Sequence, residues 1–164
     1  MLAWRAGRLA GRLIGALTEK RVSVATAESC TGGLLGSLLV RVPGASAVFW
    51  GGFVTYTLDA KQRTLGIDAL LLEKHGAVSR ECACAMAEAA RRLANTDTAL
   101  AVTGLAGPDG DGSANPVGTV WIAGACRGRH TLAVTGCFTG RRNEVRMKAA
   151  AAAITLGLEL AEFF

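Results

Sequence analysis

Residues 22–33 read VSVATAESCTGG, and this stretch decides the fold. Val22 to Thr26 is a short, β-branched, mostly apolar run, which predicts a buried strand. It passes through Glu28-Ser29-Cys30-Thr31 to Gly32-Gly33 and then to LLGSLLVRV, residues 34–42, which has helical apolar spacing. A strand that ends in a hydroxyl-bearing turn and enters a helix on two glycines is the signature of an α/β layer. The glycines let backbone N–H groups approach a ligand closely, and the helix start adds positive potential. Such a turn suits a phosphate, or an oxyanion beside a nucleophile. Taken alone, S-x-T-G-G is explained more simply by Ser29 or Thr31 capping the helix.

Working outward, the alternation continues. Residues 3–20 carry an amphipathic helical pattern, and Pro43-Gly44 ends the helix that follows the first strand. Ala47 to Thr57 predicts a second strand with Gly51-Gly52 as a bulge. Asp59–Leu65 and Asp68–His75 are short helical pieces. Ser79 caps a longer helix over 80–95. Thr98–Val102 is a third strand. The segment TGLAGPDGDGSANP, residues 103–116, is a loop long enough to be functional. Val117–Cys126 and Thr131–Phe138 predict two strands joined around Arg127-Gly128-Arg129. An alanine-rich helix closes the chain from Arg142. The expected architecture is one domain over 1–164, a three-layer α/β/α sandwich with a mixed, mostly parallel sheet.

Composition limits the function classes. The 164 residues suffice for one sizeable core, and the 51% apolar and 19% charged fractions describe a globular chain. A net charge of +5 favours an anionic ligand without naming it. Aromatics make up 5% and do not interleave with the basic residues, which disfavours a base-stacking nucleic-acid surface. No run has the apolar length of a membrane span, and the arginines throughout residues 1–20 argue against a signal peptide. A bacterial-type cytoplasm is the expected compartment. The five cysteines match no zinc spacing, and they are expected to be reduced and mostly buried. Asp109-Gly110-Asp111-Gly112 does not have EF-hand spacing, and no Walker A motif is present.

Two strand ends carry candidate chemistry. Thr103-Gly104-Leu105-Ala106-Gly107-Pro108 follows the third strand as ESCTGG follows the first, and ligands of open α/β sheets gather outside such ends. A plain solvent turn fits this second segment equally well. Neither His75 nor His130 has the context of a triad member. A serine without a histidine can be served by a lysine whose pKa is lowered by desolvation or positive charge. Lys61, close behind the second strand, is the candidate, with Tyr56 placed to orient it or share its proton. From residue type alone, a solvated helix lysine is the simpler account of Lys61.

TAESCTGG, the Tyr56/Lys61 spacing, Gly76-Ala77-Val78-Ser79, TGLAGP, PVGTV and Phe138-x-Gly140-x-Arg142-x-x-Val145-Arg146 occur in that order. Together, over about residues 5–160, they resemble the CinA C-terminal domain family, also known as pyridine nucleotide deamidases. The resemblance implies hydrolysis of nicotinamide mononucleotide to nicotinate mononucleotide and ammonia, without a metal or cofactor, by a protein that often self-associates. It implies Ser29 as nucleophile, Lys61 as its activator and Tyr56 beside them. Amides around Thr31, Gly32 and Gly33 would hold the oxyanion. Thr103, Gly104, Ala106, Gly107 and Arg142 would hold the nucleotide. Larger relatives carry a further N-terminal domain, so the chain is expected to be the stand-alone form. Leu58, Arg141 and Asn115 depart from the family's usual Asn, acid and Lys. Two other readings remain: a nucleotide-binding module without catalysis, and an accessory protein of competence or DNA damage.

Overall fold

A computed structural model describes residues 2–164. In chain order the elements are α1 (Leu2–Lys20), β1 (Val24–Glu28), α2 (Leu34–Val40), a short 3-10 turn (Ala45–Ala47), β2 (Phe49–Val54), α3 (Leu58–Leu65), α4 (Ala69–His75), α5 (Arg80–Ala94), β3 (Thr98–Gly104), β4 (Thr119–Cys126), β5 (Leu132–Cys137) and α6 (Arg142–Ala161). The five strands form one sheet in the order β2-β1-β3-β4-β5. β1 pairs in parallel with β2 and β3, whereas β4 is antiparallel to both β3 and β5. Four strands therefore run one way and β4 runs against them, which is the mixed sheet expected. The bulge also falls as expected. Trp50 is the extra residue between the Val24–Phe49 and Ala25–Gly51 pairs, and Gly51 takes φ 145° there.

Period-two alternation along the central strands builds two different faces. Ala25, Ala27, Ala99, Ala101, Ala123 and Ala125 point to one side, where α5 presents Ala83, Ala87 and Ala90. Small residues on both surfaces allow a close helix-to-sheet approach. Val24, Leu100, Val102, Val120 and Ile122 point to the other side, where α1, α2 and α6 supply Leu13, Leu35, Ile154 and Leu160. Helices thus cover both faces, giving three layers. No helix among the described residues is long and apolar enough to cross a membrane. Cys30, Cys82 and Cys126 are buried, but Cys84 is half-buried and Cys137 is exposed. Most are thus buried as expected; Cys84 packs against the core only in part, and Cys137 lies on the edge strand β5.

β1 connects through α2, on one face, to β2. β2 connects through α3, α4 and α5, on the other face, to β3. The connections reverse between β1 and β3, so the crevice outside their carboxyl ends is the ligand position such a sheet provides. At the opposite end, Asp97 fastens β3 to the entry of β1. Its Oδ2 accepts from the Ser23 N–H at 2.9 Å and the Ser23 hydroxyl at 2.6 Å, and the Asp97 N–H donates back to Ser23 Oγ. The Ser23 hydrogen bonds hold the Asp97 carboxyl below its ordinary value of 3.8. A depressed carboxylate stabilises the fold above its unfolded pKa and loses that contribution as pH falls through the folded one. Asp97→Ala is therefore expected to cost about 1–2 kcal/mol near pH 7. Urea unfolding of both proteins should show the gap closing below pH 3.8.

Candidate active site

The site begins where β1 stops. The Ser29 N–H donates to the Val102 carbonyl at 2.9 Å, tying the turn to β3. The preceding carboxylate, Glu28, is buried and turns toward α2, accepting from the Leu35 N–H at 3.0 Å and the Gly36 N–H at 2.8 Å. The positive end of α2 is thus occupied by the protein's own anion. Ser29 and Thr31 do not cap α2 through their side chains; Gly33 is the N-cap residue, with φ 89° and no side-chain bond. The simpler capping account of the motif is replaced by Glu28, one residue before the serine.

Lys61 lies in the first turn of α3, which starts because Thr57 Oγ1 accepts from the Ala60 N–H. The chain enters that turn through Thr55, whose N–H is bonded to the Glu28 carbonyl. This carries the lysine inward rather than to solvent: Lys61 is only 1% exposed. Its Nζ lies 2.8 Å from Ser29 Oγ and donates to the Thr55 carbonyl, also at 2.8 Å. Among the described residues no carboxylate pairs with it. Desolvation pulls the Lys61 ammonium below its ordinary 10.5. The thiols near it cannot serve as counter-ions near neutral pH, because burial pushes both Cys30 and Cys82 up to about 11. A buried amine with no anion beside it is held toward its neutral form. A neutral lysine touching a serine hydroxyl can take that hydroxyl's proton. The solvated-lysine account is therefore replaced as well.

Ser29 and Lys61 open on a cavity of about 360 Å³. Of the other expected site residues, Tyr56, Thr103, Gly104, Ala106, Gly107 and Arg142 line it. Tyr56 is not bonded to the serine or the lysine. Its hydroxyl accepts from Arg142 Nη2 at 2.8 Å, while Arg142 Nη1 donates to the Gly107 carbonyl. Thr103 Oγ1 donates to the Ala77 carbonyl at 2.7 Å, bracing the Gly76–Ser79 turn that forms another wall. Thr31, Gly32 and Gly33 are not brought to the cavity. Thr31 is fully buried, and the Gly32 N–H is spent on the Ser29 carbonyl at 3.0 Å. The donor of this turn that belongs to a cavity-lining residue is one residue earlier. Among the described residues the Cys30 N–H has no acceptor in another residue, and Cys30 lines the cavity.

Sequence reasoning missed Asp109 and Asp111, which also line the cavity, from the loop after Pro108. Their setting in the Gly/Asp/Pro loop was the available signal. Leu58, half exposed, contributes an apolar patch to the wall. Asn115 Nδ2 donates to the Val78 carbonyl at 3.2 Å and so ties the long loop to the Gly76–Ser79 turn. Arg141 precedes α6 and donates its N–H to Glu144 Oε2 at 2.7 Å. Neither histidine reaches the cavity. His75 ends α4 with Nδ1 3.7 Å from Glu81, and His130 lines a separate groove beside α5.

A family model described as the CinA C-terminal domain matches residues 7–160. A "CinA-like protein" of Geobacter sulfurreducens is 46% identical over 142 residues, which are 83% of this chain and 33% of that protein. A "Putative competence-damage inducible protein" of Symbiobacterium thermophilum is 46% identical over 154 residues, covering 89% of this chain and 35% of that protein. The chain thus spans about a third of the length of the curated relatives it matches. Among solved structures, a CinA superfamily protein of Klebsiella pneumoniae superimposes with a TM-score of 0.93 at 34% identity, covering 97% of this chain and 99% of that one. The competence/damage inducible protein CihA of Agrobacterium tumefaciens gives 0.92 at 39% identity, with 95% of each chain covered. The matched span, the identities and the superpositions agree: the chain belongs to the CinA C-terminal domain family.

Proposed function

We propose that this protein is an amidohydrolase that converts nicotinamide mononucleotide to nicotinate mononucleotide and ammonia, with Ser29 as nucleophile. The observation that carries the reading is the Lys61 Nζ to Ser29 Oγ contact of 2.8 Å in a buried setting without a carboxylate. Neutral Lys61 takes the Ser29 proton as Oγ bonds to the carboxamide carbon. The oxyanion forms beside the Cys30 N–H, and collapse breaks the C–N bond while Lys61 returns its proton to the departing ammonia. Water then adds to the Ser29 ester, giving a proton to Lys61. The ester C–O bond breaks, and the proton returns to Ser29 Oγ. The balance is one amide and one water consumed, and one carboxylate and one ammonium released.

Arg142 supports the nucleotide part of the reading. It sits on the cavity wall, held by Tyr56 and Gly107, and a guanidinium suits phosphate. Tyr56 acts in this scheme as a brace for Arg142. The fit of a family resemblance with a serine–lysine pair favours an enzyme over a binding module without catalysis. Self-association and a cytoplasmic setting belong to the same proposal.

Ammonia release from nicotinamide mononucleotide, with nicotinate mononucleotide identified as the co-product, tests the reaction. Free nicotinamide, which lacks the phosphate, is expected to be a poor substrate. Arg142→Met is expected to raise KM for the mononucleotide by about tenfold or more, as for loss of a charged hydrogen bond, and to leave the rate with free nicotinamide nearly unchanged. No ammonia from folded protein would remove the proposal. An Arg142→Met effect equal on both compounds would remove the phosphate assignment.

A further inference from the structure

α6 reaches back to the nucleophile turn through one side chain. Arg146 is half-buried, and its Nε donates to the Cys30 carbonyl at 3.2 Å while Nη2 donates to the Thr31 carbonyl at 2.7 Å. Nη1 is anchored on Asn143 Oδ1 at 3.0 Å. The guanidinium also packs against Gly32, where an added Cβ would lie 3.5 Å from Nη2. Arg146 makes no salt bridge among those of the described residues, so its hydrogen bonds go to backbone carbonyls and one amide.

Those carbonyls belong to a chain of peptide planes, and in each planar trans peptide the N–H points opposite to the C=O. Holding the Thr31 carbonyl fixes the direction of the Gly32 N–H. That N–H donates to the Ser29 carbonyl at 3.0 Å, which fixes the plane joining Ser29 to Cys30. The N–H of that plane is the Cys30 N–H beside the nucleophile. Holding the Cys30 carbonyl fixes the next plane in the same way. The turn contains Gly32 at φ 57° and Gly33 at φ 89°, so neighbouring side chains do little to stop its peptides from rotating. Glu28 fixes α2 behind the turn, and the Leu34 N–H shares the Thr31 carbonyl at 3.2 Å, but among the described residues no other side chain binds the carbonyls of Cys30 or Thr31.

We infer that Arg146 is a positioning residue: through the Cys30 and Thr31 carbonyls it holds the Cys30 N–H as a preorganised donor for the oxyanion formed at Ser29. This rests on the reading of Ser29 as the nucleophile. Arg146 touches neither the cavity nor Lys61, so its loss acts on the stability of the charged intermediate and not on substrate binding or proton abstraction.

The test uses a fluorophosphonate probe on the full chain, alongside turnover of nicotinamide mononucleotide. The probe bonds its phosphorus to Ser29 Oγ and expels fluoride, with the serine proton passing to Lys61. Its rate therefore reports the serine and its oxyanion donor without depending on the natural substrate. Losing an oxyanion donor outright costs about 10²–10³ in rate. Arg146→Ala is accordingly expected to label about 100-fold slower, and Arg146→Lys, which can keep one carbonyl contact, about tenfold slower. Millimolar guanidinium should restore part of the Arg146→Ala rate. Turnover should fall in kcat by similar factors, with KM and the pH midpoint of the rate unchanged. Labelling at the unaltered rate in both variants, or a loss confined to KM, would overturn the inference. If the unaltered protein does not label at all, the Ser29 reading falls and this inference falls with it. If it labels, the variants label slowly, and nicotinamide mononucleotide is not turned over, then only the substrate assignment falls.

Discussion

Lys61→Met is expected to lower the rate of ammonia release by about 10³-fold, the middle of the range for removing a general base. The methionine fills the same buried space, so the loss is chemical rather than structural. The same substitution has a second consequence that activity does not reveal. In the folded protein desolvation depresses the Lys61 ammonium below 10.5, whereas in the unfolded chain it titrates normally. Between these two values the unfolded state holds more protons than the folded state, so stability rises with pH across that window. Burying the lysine therefore costs most at pH values below its folded pKa, and the cost fades toward 10.5. Lys61→Met removes this dependence but leaves the Thr55 carbonyl without its donor. The expected result is that the stability of Lys61→Met relative to the natural protein is greatest near neutral pH and declines as pH rises toward 10.5. Thermal melts of both proteins from pH 7 upward read this directly. A difference that stays flat would mean that Lys61 titrates as an ordinary surface lysine.

Gly118→Ala is expected to be the most damaging single methyl group in the chain. Gly118 adopts φ 97°, which an L-residue resists, and an added Cβ would overlap the Phe138 carbonyl oxygen. Nothing there is a flexible side-chain tip: all three nearest atoms are Phe138 backbone. The Gly118 N–H bonds the Leu105 carbonyl at 2.7 Å, and its own carbonyl accepts from the Phe138 N–H at 2.8 Å. The position therefore joins the cavity wall at Leu105 to the exit of β5. Relief requires breaking one of these links, for which about 3–5 kcal/mol is the expected cost. The corresponding drop in Tm is about 10 °C for a chain of this size. Urea and thermal unfolding would show it, and a loss under about 1 kcal/mol would contradict this packing.

The layer order was legible because each strand is short, apolar and followed by a turn with glycine or proline. The sense of β4 was not, since a loop of the length of 105–118 can lead to either direction. At the site, local sequence located the serine turn and the lysine but not their environment. No periodicity marks Lys61 as buried, because its burial comes from the path through Thr55 and Thr57. Glu28 could be seen beside the serine, but its role as the partner of the α2 amides depends on the turn folding back on itself. Tyr56 and Arg142 were each legible through the family resemblance, yet their mutual bond spans 86 positions and replaces the expected contact with Lys61. Arg146 stands in the motif that runs from Phe138, and its neighbours in sequence give it no task. Its task appears only when α6 is laid against the Cys30 and Thr31 carbonyls.

The most direct test of the central claim is ammonia release from nicotinamide mononucleotide by the natural protein and by Ser29→Ala, with folding of both verified. The account predicts release by the natural protein and a loss of at least about 10³-fold in the variant, because the acyl group then has no oxygen to occupy. Release by Ser29→Ala within a few-fold of the natural rate would contradict it, since no acyl-enzyme could then form on Ser29.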